Sequence, residues 1–201
     1  FYAYMIGRDY EAKDLPTVVK QFESYKKGDR KTVPNVSFQM LTALELGTEE
    51  WATIAKNAKW HQTRMNLNTF ARHGVFGVKG MTDMIAERLR DEASFKKAKV
   101  FPYQLLMAYS ATDDEVPLKV KNALQDAMEI AIANVPEIEG QIFVCPDVSG
   151  SMDSPVTGHR VGATTQVNCL SVAALVAAAF LRKNESAKLL PFADEVRACK
   201  L

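Results

Sequence analysis

Apolar positions divide the chain into two regimes. Up to about residue 137 they recur at helical spacing, in short units punctuated by Gly and Pro. The pattern predicts helices over 15–27, closing at Gly28; 35–46, after Pro34 and before Gly47; and 48–60, where Thr48 reads as an N-cap with Glu49 and Glu50 in the first turn. It continues with 62–73, closing at Gly74, 81–91 after Gly80, 102–111 opening at Pro102, and 117–134, the longest. Helices of this length joined by short turns predict an α-solenoid of the HEAT type, whose neighbouring units stack into a curved surface.

After Pro136–Gly140, read as a linker, the period changes. An apolar run from Ile142 stops abruptly at Asp147-Val-Ser-Gly-Ser, the signature of a buried strand that meets a loop. Residues 164–182 are rich in Ala, Val and Leu around most of the circumference, which predicts a buried helix. Residues 188–192 read as a second strand, and Val196 opens a third. Strand, loop, helix, strand is the start of an α/β sheet, with ligands expected at the carboxyl ends of its strands. The expected domains are therefore residues 1–138, helical, and residues 139–201, α/β.

The loop carries the clearest candidate chemistry. Asp147, Ser149 and Ser151 set one carboxylate and two hydroxyls at alternate positions. Hard oxygen donors in small number suit Mg²⁺ or another divalent cation, which keeps several waters. The Asp-x-Ser-x-Ser pattern resembles the metal-ion-dependent adhesion site of von Willebrand factor A (vWA) domains.

Composition narrows the class without choosing a partner. The chain has 201 residues, 47% of them hydrophobic, enough for one or two globular domains, and its formal net charge is only +1. Cys145, Cys169 and Cys199 lack metal-ligand spacing and read as reduced cytosolic thiols. The longest apolar stretch, 170–181, is too short to span a bilayer, and a cytoplasmic protein is the expectation. A first residue other than Met, together with an end shortly after the second strand, leads us to expect a fragment.

Charge becomes informative only locally. Residues 51–82 hold no Asp or Glu, but they carry Lys56, Lys59, Arg64, Arg72 and Lys79, with His61 and His73 beside them. Helix surfaces usually mix both signs, so an acid-free span is a candidate for phosphate contact, although a solvated basic face with no ligand has the same appearance. Trp60, Asn66, Asn68 and Thr69 add groups that can stack on or hydrogen-bond to RNA. Arg64, Asn68 and Arg72 follow one another at intervals of four, which predicts one helical face. The run Lys96, Lys97, Lys99 follows Asp91 and Glu92 and reads as a solvated turn. Enzyme signatures fail: position 149 is Ser where aspartyl phosphatases resemble Asp-x-Asp, and no nucleophile elbow, phosphate-binding loop or zinc motif occurs. His61, His73 and His159 have no acid or nucleophile beside them, and no catalytic role is expected.

Helical units that run into Asp147-Val-Ser-Gly-Ser-Met152 resemble the Ro ribonucleoprotein (TROVE) family, a HEAT-repeat ring closed by a vWA domain. Met65-Asn-Leu-Asn-Thr-Phe-Ala-Arg72-His73 is similar to the family's Met-Pro-Leu-Thr-Ala-Leu-Leu-Arg-Asn, Lys97-Ala-Lys-Val-Phe-Pro102 to Lys-Ala-Arg-Ile-His-Pro, and Pro191-Phe-Ala-Asp-Glu195 to Ala-Phe-Ser-Asp-Glu. The resemblance covers roughly residues 51–201. It implies a non-enzymatic, cytosolic protein that holds small noncoding, Y-type RNAs, admits single-stranded 3′ ends of defective RNAs, and in bacteria works beside an exoribonuclease. Two departures stand out: His73 replaces the family's Asn, and the chain ends before the later Thr and Asp of a vWA metal site. The competing reading is a protein-binding module in which a partner's carboxylate completes the vWA metal and the helices are scaffold. That reading leaves the acid-free window unexplained.

Overall fold

A computed structural model of the chain describes residues 1–133, 135–156 and 167–197. His159, Cys199 and the first residues of the helix expected from 164 lie outside them. The helical region runs α1 (Tyr2–Met5), α2 (Thr17–Lys26), α3 (Phe38–Thr42), α4 (Thr48–Asn57), α5 (Trp60–Met65), α6 (Leu67–Arg72), α7 (Met81–Arg90), α8 (Glu92–Ala98), α9 (Pro102–Ser110) and α10 (Leu118–Ala133). Then come β1 (Phe143–Val144), α11 (Cys169–Lys183) and β2 (Lys188–Leu189).

The core centres on α7 and α10. Met81, Ile85, Ala86 and Leu89 line one stripe of α7 and meet Val120, Ala123, Leu124 and Ala127 of α10, all at most 1% exposed. Spacings of three and four put each set on a single helical face. Helices α4, α5, α8 and α9 pack around this pair. No helix among the described residues is long and apolar enough to cross a membrane.

Several expected helices are shorter or broken, for local reasons. The unit expected over 62–73 divides at Asn66, whose side-chain amide donates to the Gln62 carbonyl at 2.7 Å and competes with the backbone ladder. The α4 cap is Gly47 rather than Thr48, with the Glu50 carboxylate accepting the Gly47 N–H at 2.6 Å. The run read as a solvated turn is α8: the Asp91 carboxylate caps it by accepting from the Ser94 N–H at 2.8 Å, and Lys99 closes it with a left-handed φ of 50°. Gly74, at φ 70°, reverses the chain after α6, where a residue with a Cβ would be strained.

β1 and β2 pair in parallel, Phe143 opposite Lys188 and Val144 opposite Leu189, with α11 as the connection between them. Backbone bonds continue past the strands: Phe192 N–H donates to the Pro146 carbonyl at 3.1 Å and Val148 N–H to the Phe192 carbonyl at 2.8 Å. Asp147 therefore sits at the carboxyl end of this ladder. Val196 makes an isolated antiparallel bridge to Phe192 rather than a strand. Helix α11 is less buried than expected. Ala177 and Ala179 are buried, Val176 is 46% exposed, and an apolar cavity of about 240 Å³ lies between the helix and the ladder. The buried Asn184 joins the two parts: its carbonyl oxygen accepts the Ile138 N–H at 2.8 Å, and its amide donates to the Pro136 carbonyl at 3.3 Å.

Candidate functional site

The acid-free window folds into α4, α5, α6 and the turn before α7, and its cations behave in two ways. Lys56, Lys59, Arg72 and Lys79 are exposed. None of their side chains meets a carboxylate among the described residues, whereas Lys26, Lys96, Lys119 and Lys183 each pair with an acid. Among the described residues the Arg72 guanidinium reaches only the Thr69 hydroxyl, at 3.4 Å.

Arg64 is different. It is 7% exposed, and Nη1 donates to the Gln104 carbonyl at 2.7 Å, tying α5 to the first turn of α9, while its buried Nε has no partner among the described residues. Burial pulls its pKa down from the ordinary guanidinium value. Asn68 is committed too, donating to the Ala111 carbonyl at 2.6 Å and accepting from the Asp113 N–H at 3.1 Å, and so it brackets the turn after α9. Arg64 and Asn68 still line one groove of about 260 Å³ with Met107 and Thr112. The His73 ring stacks on Trp51 with centroids 4.2 Å apart and planes at 13°, a packing contact. Trp60 is buried: its indole N–H donates to the Leu89 carbonyl at 3.1 Å, and its ring meets Phe95 edge-on. Trp60 is only 4% exposed, although it also lines a groove between α5 and α8.

Lys59 and His61 are brought together in a second groove, of about 440 Å³, between α5 and α8. Burial first, and the nearby Arg64 second, hold the His61 imidazole below its ordinary pKa. Two cations from outside the acid-free window, Arg88 and Lys97, also line this groove. Arg88 donates to the carbonyls of Ala55 at 2.6 Å and Lys56 at 2.7 Å and to the Thr63 hydroxyl at 3.1 Å, stitching the end of α4 and the middle of α5 to α7. No single-sequence signal marks Arg88. Lys97 stands in the lysine run that the sequence presents as a solvated turn. Among the described residues no carboxylate lines the groove.

At the other end of the chain, the Asp147 carboxylate accepts the Ser149 N–H at 2.8 Å, and the Ser149 and Ser151 hydroxyl oxygens lie 3.1 Å apart. The hydrogen bonds from Ser149 hold the Asp147 carboxyl below the ordinary carboxylate value. In an octahedral Mg²⁺ shell with ligands at about 2.1 Å, neighbouring oxygens stand about 3.0 Å apart, so the two hydroxyls fit adjacent ligand positions. No cluster of three or more His, Cys, Asp or Glu side chains fit to hold a metal occurs among the described residues, and this loop draws on hydroxyls instead.

No family model matches the chain, and no curated protein matches it either. Among solved structures the chain is similar to the Ro (RSR) protein of Deinococcus radiodurans, with a TM-score of 0.59 and 23% identity over 78% of this chain and 34% of that one. The chain thus has a Ro-like fold, and it spans about a third of the length of that protein.

Proposed function

We propose that this chain is the RNA-binding part of a Ro-type ribonucleoprotein, which holds small noncoding RNAs and single-stranded RNA ends for RNA quality control and makes or breaks no bond itself. The observation that carries the reading is the set of exposed cations in residues 51–82, free of carboxylate partners, on a fold like that of a Ro protein. Phosphates supply the acid that these cations lack, and affinity comes chiefly from counterion release. Shape and unpaired bases supply the selectivity, since A-form duplexes hide their base edges. The opening β1–α11–β2 unit is read as the start of a vWA domain, with Asp147, Ser149 and Ser151 as Mg²⁺ ligands whose role is structural or partner-directed. The protein works in the cytoplasm, with an exoribonuclease as a candidate partner.

Replacing Lys56, Arg72 and Lys79 with Ala tests this reading, because all three are exposed and none holds the core together. RNA affinity should fall, and the slope of log affinity against log salt should flatten by about 0.7–0.9 for each phosphate that is no longer neutralised. An unchanged slope in a folded triple variant overturns it.

A further inference from the structure

The strongest chemistry outside the expected site lies where α8 turns into α9. Lys97 faces Lys59 and His61 across the 440 Å³ groove. Its neighbour Lys96 is neutralised by Glu92 at 2.7 Å, but Lys97 has no acid partner among the described residues. The left-handed turn at Lys99 ends α8 at once and delivers Phe101 to the start of α9. Phe101 is 63% exposed, yet it is not loose. Its N–H donates to the Gln104 side-chain oxygen at 3.2 Å, and one ring face stacks on Tyr103 with centroids 6.2 Å apart and planes at 20°. The bond from Arg64 to the Gln104 carbonyl fixes this turn of α9 to α5, so the groove wall and the aromatic pair share one frame.

We propose that the groove and the Phe101–Tyr103 pair form one subsite for an unpaired nucleotide of RNA, with a phosphate among Lys59, His61 and Lys97 and a base on the outer face of Phe101. The inference rests on the RNA-binding reading above and adds residues 97, 101 and 103 to it. Two features separate it from a generic basic surface. A held aromatic ring with a free face is the platform that single strands use, and every base has a π-face to place on it. Lys97 lies four residues before Phe101, across the left-handed turn at Lys99, so at most about 14 Å of chain separates a groove cation from the ring, a span that neighbouring nucleotides cover and an apolar peptide has no use for.

The test measures binding of the whole chain to a labelled single-stranded oligouridine and to a blunt duplex of equal charge at about 150 mM salt, where nonspecific attraction is largely screened. Phe101→Ala should weaken single-strand binding about tenfold, equivalent to about 1.4 kcal/mol, leave duplex binding unchanged, and be rescued by Phe101→Trp. Lys97→Ala should reduce the single-strand salt slope by about 0.7, and Lys97→Arg should restore it. Single-strand binding by Phe101→Ala equal to that of the parent, or an equal loss on both ligands, overturns the subsite while leaving the RNA reading in place. A parent chain that binds neither ligand overturns both.

Discussion

His61 shows how much a single side chain reports. Its pKa is pulled down by partial burial and by Arg64, so the unfolded chain takes up this proton at a higher pH than the folded one. Stability on its account is therefore full above the ordinary imidazole range and is lost as pH falls through it. A phosphate beside the ring works in the opposite sense and favours the imidazolium, with Lys59, Arg88 and Lys97 as the other charges lining the groove and Arg64 close by. RNA affinity should then rise between about pH 7.5 and pH 5.5, with uptake of a proton on binding. His61→Gln should flatten that profile, and binding measured across the range in both proteins checks it. The other window residues separate on the same scale. Arg64, Asn68 and His73 have partners within the fold, and Arg72 points to solvent. Arg72→Ala should change RNA binding with stability within about 0.5 kcal/mol of the parent. Arg64→Ala, which removes a buried hydrogen bond, should lower stability as well, and urea unfolding separates the two outcomes.

At the scale of elements, the connection between the helices and the β1–α11–β2 unit depends on how buried each contact is. Arg182 reaches Glu129 at 2.6 Å, but both side chains are more than half exposed, and such pairs contribute about 0–1 kcal/mol. Asn184 is buried, and replacing it with Ala leaves the Ile138 N–H and the Pro136 carbonyl without this partner. Asn184→Ala should cost about 1–3 kcal/mol in urea unfolding and Arg182→Ala under about 1, with near-equal losses counting against this account. The elements were legible in the sequence where an apolar stripe marked them, as in α7 and α10, or where a proline opened them, as Pro102 opens α9. The break at Asn66 and the helix α8 were not. In the first a side chain competes for a carbonyl inside an apolar period, and in the second only Phe95 is buried, so caps and charges rather than periodicity define the helix. The same blindness hid Lys97: once its run is read as a turn, nothing in the order of residues brings it opposite His61.

Over the whole molecule, the basic window and the Asp147 loop belong to different layers, the first to the α4–α6 helices and the second to the carboxyl end of the parallel ladder. On the proposed assignment Asp147→Ala should abolish Mg²⁺ binding in a calorimetric titration and leave the affinity for small RNA within about twofold. Equal Mg²⁺ affinity in both proteins counts against the metal assignment, and loss of RNA binding in a folded variant shows that the layers communicate. The candidate metal triad was readable because it is local in sequence. The grooves were not, since each is built from helices that only tertiary packing brings together. Arg88 has one more effect at this scale. By holding carbonyls in the last turn of α4 and the Thr63 hydroxyl of α5, it braces the walls of the basic groove from within the fold, and on the proposed RNA-binding reading the groove is shaped in advance of the ligand. A strand that meets a finished groove has no folding step to wait for, so its arrival is set by long-range attraction and slows as salt rises. Differences between one RNA and another then lie in how long each stays bound, and single-molecule residence times, more than encounter rates, distinguish cognate strands from the rest.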